Sequence, residues 1–252
     1  MEAAEAIRTA MERVDQLRQQ CQADPALAQA RSAVKRFQAQ RFCGSYADML
    51  WGGPYQQAAR FFLEELYGDH NFAERDAQFS RIAKALQRVF PAQVVKTAVA
   101  LAELHALSEE LDMAMARQWR AYKPARGDGD ELGVRRYIHS WRGVTRRADR
   151  FQQIHMVLAI GRELDRLVRL PGLRLMLKMM RSPASLAGLS ALQHFLESGF
   201  DTFAAMGSKK GSGAGEFLAT IEERETALVE WLFDQDADVC ATRLEQILGK
   251  AR

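Results

Sequence analysis

The placement of the prolines constrains this chain most. Five of the six fall directly after a break signal, in Asp24-Pro25, Gly53-Pro54, Phe90-Pro91, Leu170-Pro171 and Ser182-Pro183. Proline lacks an amide donor and fixes φ near its helical value, so it suits the first position of a helix and disrupts the interior. Asp24 and Ser182 add the side-chain oxygen that caps a helix N-terminus. Between these marks the chain is written in helix formers, with 39 Ala and 27 Leu against 12 Val, 7 Ile and 7 Thr. So few β-branched residues do not furnish sheets. The chain reads as all-α: a compact orthogonal bundle of roughly nine helices with no sheet. The expected helices are 2–22, 25–42, 54–67, 72–89, 92–121, 130–169 (open to a bend at Gly143), 171–181, 183–206 and 216–249, the last breaking near Asp234–Asp238.

Two stretches read as loops: KPARGDGDELG at 123–133 and GSKKGSGAG at 207–215. Their Gly, Pro and charge content opposes regular structure. The expected organisation is a main bundle over 1–206, a flexible Gly/Ser/Lys loop over 207–215, and a C-terminal helical segment over 216–252 docked on the same domain.

Composition excludes several classes. A net charge of +3 over 252 residues is not that of a polycation that coats nucleic acid. The three cysteines, Cys21, Cys43 and Cys240, form no CxxC pair and fit a reducing compartment. The first residues carry acids and bases on a helical period, without the apolar core of a signal peptide. The longest uncharged run, 182–196, is too short to span a bilayer. The expectation is a soluble cytoplasmic protein with no transmembrane segment, whose membrane contact, if any, is peripheral.

Charge is unevenly placed. Residues 117–181 hold 16 basic and 6 acidic side chains, whereas both flanks are net acidic. On the expected helix 130–169, Tyr137, Trp141, Val144, Ala148, Phe151, Ile154 and Leu158 make an apolar face. Arg135, His139, Arg142, Arg146 and Arg150 make a second stripe, thickened by Arg136 and Arg147. Guanidinium groups suit phosphate and carboxylate partners. This stripe is a candidate site for an acidic protein partner or a phosphorylated small molecule. The competing reading pairs it internally, with the C-terminal carboxylates Glu222, Glu223, Glu225 and Glu230 as partners. No helix-turn-helix, zinc finger or RNA-binding signature accompanies it, which argues against sequence-specific nucleic acid.

Residues 61–67 read FFLEELY, followed by Gly68. Phe61, Phe62, Leu63, Leu66 and Tyr67 make an apolar face wider than one stripe, so this helix is expected to be buried on most sides. Gly68 suits a C-terminal stop, and Asn71 with Glu74 fits a capping box for the next helix. Glu64, Glu65, Asp69 and His70 gather polar groups near that corner, where a metal or a basic partner would be the functional alternative to plain packing. The stretch FFLEELYGDHNFAERDAQFSRI at 61–82 resembles the bacterial FFLEELY motif proteins, as do LAELHALSEELD at 101–112 and LQHFLESGFDTF at 192–203. The resemblance implies a helical, bacterial, cytoplasmic protein and supplies no catalytic residue.

His105 borders the apolar seam of Leu101, Leu104, Leu111 and Met115, with Glu109 and Asp112 on its own helix face. Glu109, one turn on, is the expected hydrogen-bond partner of His105. Together with Asp112, the pair could also offer metal ligands, or His105 an axial haem ligand. His155 and His194 sit at the edges of apolar stripes and read as core histidines. There is no HExxH, no Glu-x-x-His pair and no GxSxG, and GSKKGSGAG is neither a Walker loop nor a dinucleotide fingerprint. The leading functional reading is a non-enzymatic interaction or regulatory module using a basic helical surface. The alternative is a small-molecule, metal or haem-binding protein, an enzyme included, with a site between helices near His105, Glu109 and the FFLEELY corner.

Overall fold

A computed structural model describes residues 2–65, 72–123, 133–207 and 213–251. Among the described residues there are thirteen helices and no strand. They are α1 (Ala3–Ala23), α2 (Pro25–Ser45), α3 (Ala47–Leu50), α4 (Gln56–Glu65), α5 (Ala73–Val89), α6 (Ala92–Ala121), α7 (Val134–Val144), α8 (Arg147–Leu167), α9 (Leu173–Met179), α10 (Arg181–Leu186), α11 (Ser190–Gly207), α12 (Ala214–Asp234) and α13 (Ala237–Leu248). The all-α class holds, and the expected count of roughly nine is too low.

Local chemistry explains the extra breaks. Asp24 caps α2 as expected, its Oδ1 accepting from the Leu27 amide at 3.1 Å, with Pro25 in the first turn. The expected helix 130–169 divides at Thr145, which holds a left-handed φ of 52°. Gly143, where a bend was expected, stays inside α7. The break rotates the apolar face, so Tyr137, Trp141, Ile154 and Leu158 are buried while Ala148 is exposed. α10 ends in a Schellman motif. Gly188 has φ 66°, its amide donates to Ser185 O at 3.0 Å, and the Leu189 amide donates to Ala184 O at 2.8 Å. The expected break near Asp234–Asp238 is present, with Asp236 Oδ1 accepting from the Asp238 amide at 2.8 Å at the head of α13.

The chain forms two compact units, each drawn from three separated stretches. Unit 1 comprises Met1–Asp15, His70–Ala106 and His155–Thr220. Its core joins Ile7, Met11 and Val14 of α1 to Ala83 of α5 and to Val95, Ala98 and Ala102 of α6. A second apolar cluster joins Leu167 of α8, Leu173 and Leu177 of α9, and Phe200 of α11. α11 packs on α5, α9 and α10. Gln78 of α5 reaches the first turn of α11, its Oε1 accepting from the Leu192 amide at 2.9 Å.

Unit 2 comprises Gln16–Asp69, Leu107–Ile154 and Ile221–Arg252. α13 packs against α2 and α7, and α2 against α3 and α4. Gly44 of α2 marks the closest approach: a Cβ there would stand 2.7 Å from the carbonyl carbon of Ile247 and nearer still to its oxygen. Phe37, Phe42, Tyr46, Tyr137 and Trp141 fill the core, with Phe37 stacked on Tyr137 at a centroid distance of 4.1 Å. The middle of the expected loop 123–133 and the centre of the Gly/Ser/Lys segment lie outside the described residues.

Candidate functional site

The arginines of α7 and α8 are the first place to look, and unit 2 uses them internally. Arg142 donates from Nε to Leu232 O at 2.7 Å, from Nη2 to Gln235 O, and from Nη2 to Cys240 Sγ at 3.4 Å. It thereby ties α7 to the join between α12 and α13, where carbonyls at the end of α12 need donors. Arg150 is buried, stacked over Trp141 at 4.2 Å, with Nη1 on Gln153 at 3.2 Å and Nη2 on Met115 Sδ at 3.0 Å. Arg146 pairs with Asp149 and lies 3.8 Å from Glu110. Arg135 pairs with Asp238 at 2.8 Å, and Arg147 with Asp234. His139 is exposed beside the Tyr122 ring. The expected C-terminal partners were the glutamates of α12. Of these, Glu230 adds its charge near Arg147 and Glu225 pairs with Arg41 at 2.5 Å, while Asp234, Asp238 and main-chain carbonyls supply the contacts described above.

His105 and Glu109 each have a different partner from the one their spacing suggested. In unit 1, His105 Nε2 lies 3.1 Å from Asp76 Oδ2 of α5. In unit 2, buried Glu109 accepts from Lys35 Nζ at 2.6 Å and from Arg31. A buried carboxylate needs full positive charges, and α2 supplies two of them. Asp112 stands 3.9 Å from Lys35. Burial drives its carboxyl above the ordinary range, and Lys35 opposes that shift. Tyr137 completes this polar core. It is fully buried, burial pushes its pKa up to about 12, and its hydroxyl meets no hydrogen-bond partner among the described residues.

At the FFLEELY corner, Phe61 and Phe62 are buried, Leu63 and Glu65 half-buried, and Glu64 exposed. Gly68, Asp69, His70 and Asn71 lie outside the described residues, and with them the expected stop and capping box. Among the described residues no three His, Cys, Asp or Glu side chains gather to hold a metal. His155 and His194, expected in the core, are both exposed.

The surface that sequence reasoning missed is on unit 1. Met180 keeps right-handed helical angles between α9 and α10 (φ −75°, ψ −10°), so the helical side-chain period runs from Leu173 to Leu186. Three lanes result. Leu173, Leu177 and Ala184 point inward and are buried. Arg174, Lys178 and Arg181 form a basic lane beside them. Leu175, Met179 and Leu186 form a third lane, exposed by 62%, 63% and 88%. Leu170, just before α9, is also exposed. A helix apolar on opposite faces normally has protein on both sides; here one side is open. The signal lay in PGLRLMLKMMRSPASL at 171–186, where apolar residues occupy more than one helical face.

These features define a class: an all-helical protein with a charged, hydrogen-bonded interior in one unit and an open apolar-and-basic helix face on the other. The chain belongs to the family described as a domain of unknown function (DUF8198), which matches residues 17–239. No curated protein and no solved structure matches it. Among the described residues, no helix is long and apolar enough to cross a membrane.

Proposed function

We propose that this chain is a bacterial, cytoplasmic FFLEELY motif protein, and that it works as a non-enzymatic interaction module docking through the outward face of α9 and α10. One observation carries the reading: Leu175, Met179 and Leu186 stand exposed in a row opposite the buried Leu173, Leu177 and Ala184. Large apolar side chains grouped on one exposed face mark interaction surfaces. The basic helical surface expected on α7 and α8 moves in this reading to Arg174, Lys178 and Arg181. The test places a photo-crosslinking side chain at Leu175 or Leu186 in growing cells, with exposed His155 as the control position. Adducts at the first two positions and none at the third are expected. Absence of adducts at both, in a chain that is folded, overturns the reading.

One observation favours a ligand-binding reading, moved from His105 to the interior of unit 2. The Tyr137 hydroxyl is buried with no hydrogen-bond partner among the described residues, close to the charges of Arg41, Arg150, Glu225 and Asp112. Tyr137→Phe separates the cases. Without a ligand, removing an unsatisfied hydroxyl leaves stability unchanged or raises it. With one, the native mass of the purified wild type carries an extra component that the variant loses.

A further inference from the structure

We infer that the surface this face docks on is an anionic phospholipid bilayer, met peripherally, with Leu175, Met179 and Leu186 entering the acyl boundary and the surrounding cations at the headgroups. The inference rests on the docking reading above and names its partner. Residues 166–189 hold five cations, Arg166, Arg169, Arg174, Lys178 and Arg181, and no carboxylate. Four of them pair with carboxylates outside that stretch: Arg166 with Glu163 and Arg169 with Asp165, both of α8, and Arg174 with Asp201 and Arg181 with Glu197, both of α11. In each pair the cation is the outer member. The guanidinium side chains are 58–76% exposed, their carboxylate partners 16–43%. The surface around the apolar row is therefore positive where it meets solvent, while the balancing negative charge sits closer to the body of unit 1.

The form of the apolar row separates the three classes of occupant. A partner helix typically enters a groove lined by side chains. Here the side chains project, Leu186 with 88% of its surface free. Projecting side chains need an acceptor that closes around them, and a fluid acyl layer does so without a preformed cavity. A second copy of this chain would bring the same cations face to face in a twofold contact, which like charges oppose. Anionic headgroups satisfy both elements at once, because attraction to Lys and Arg adds to the burial of apolar side chains. Among the described residues no helix is long and apolar enough to cross a membrane, and the contact inferred here is that of one helix face lying at the interface.

The test is flotation of the full chain with vesicles of mixed phosphatidylglycerol and phosphatidylcholine, and with phosphatidylcholine alone. The chain is expected to float with the anionic vesicles and to stay behind with the zwitterionic ones. Binding should weaken as salt rises from about 0.1 M to about 0.5 M, where screening shortens the reach of the charges. Leu175→Glu with Met179→Glu should lower the bound fraction at least about tenfold, since two apolar side chains become anions facing anions. Both positions are exposed, so the helical signal and melting temperature should hold; Leu186→Ser, at a still more exposed site, serves if they do not. Failure of the wild type to float with anionic vesicles at low salt overturns the inference, as does equal flotation with both lipids or indifference to these substitutions. A concentration-dependent dimer abolished by Leu175→Glu with Met179→Glu overturns it in favour of a second copy. Adducts to protein at Leu175 or Leu186 without flotation overturn the lipid and leave the docking reading standing; loss of adducts and flotation together removes both.

Discussion

Alanine placed at three glycines tests how closely the helices approach one another. At Gly44 the new methyl meets main chain. The carbonyl carbon of Ile247 would lie 2.7 Å away and Ile247 Cγ2 3.0 Å, where ordinary contact begins near 3.4 Å. Main chain does not rotate aside as a side chain does, so α13 must move off α2 by roughly 1 Å, against the close packing of an interior. Three buried residues of α13, Cys240, Ala241 and Leu244, lose contact in that movement. Overpacking of this kind costs about 1–3 kcal/mol, and partial exposure of Leu244 adds about 1 kcal/mol. Relief of glycine's helix penalty returns about 1 kcal/mol. The net expectation for Gly44→Ala is a loss of about 1–3 kcal/mol, roughly 2–12 °C in Tm.

The other two sites calibrate that figure. Gly161 of α8 faces Leu218 of α12, whose Cδ2 would lie 2.5 Å away, and a leucine terminus yields more readily than a carbonyl. Gain and cost nearly cancel there, leaving stability within about 1 kcal/mol of wild type. Gly215, in the first turn of α12, has nothing within 4 Å, so alanine there is expected to add up to about 1 kcal/mol. The assay is denaturant unfolding, followed by tryptophan fluorescence for Gly44→Ala and by the helical circular-dichroism signal for Gly161→Ala and Gly215→Ala, whose sites lie in unit 1. All four tryptophans, Trp51, Trp119, Trp141 and Trp231, lie in unit 2 with Gly44. A Gly44→Ala protein as stable as the wild type by this probe would refute the α2–α13 approach.

The remaining predictions concern charge. Glu109→Ala leaves Lys35 buried without its nearest carboxylate and is expected to cost about 3–5 kcal/mol in urea unfolding. Combining Lys35→Met with Glu109→Met should recover only part of that loss, because an apolar pair replaces the buried ion pair but Asp112 loses Lys35 and Arg31 loses its carboxylate. Arg181 and Gln193 donate to Glu197 and hold its carboxyl at about 2, against an ordinary value near 4.5. Its stabilisation is therefore complete above about 4.5 and lost as pH falls towards about 2, so the Tm difference between wild type and Glu197→Gln should narrow across that window. A difference independent of pH would show that the pair adds nothing to the folded state.

Much of the fold was legible because its signals are local. Asp24 and Pro25 announce α2 wherever they occur, and the acid-rich turn after α12 was readable from Asp234, Asp236 and Asp238. The division at Thr145 was not. Threonine gives no local warning of a left-handed φ, which packing imposes against its own preference. The two-unit organisation was hidden for a related reason. α1, α6, α8 and α12 each give residues to both units, so no linker composition marks a boundary. At the candidate sites, the spacing of His105 and Glu109 put them on one face of one helix but said nothing about which neighbours would meet them. Asp76 for one and Lys35 with Arg31 for the other lie far off in sequence.

The arginines show why a periodic charge pattern alone does not locate a surface. Arg142, Arg146 and Arg150 repeat at four-residue steps across the break between α7 and α8; Arg174, Lys178 and Arg181 repeat at four and three along α9 and α10. By sequence the two rows are equivalent, and the first is richer. What separates them is the environment across the helix. Opposite the first row lie the carbonyl groups closing α12, the Trp141 ring and Met115, acceptors that draw guanidinium groups inward. Opposite the second lie Glu197 and Asp201, set closer to the body of unit 1, which balance the cations from behind and leave them facing out. A cation's role follows from which member of its pair is the more exposed. By that criterion Arg135 and Arg147, each less exposed than its aspartate, hold unit 2 together alongside the buried Arg150, and Arg174 and Arg181, each more exposed than its carboxylate, are available to a partner.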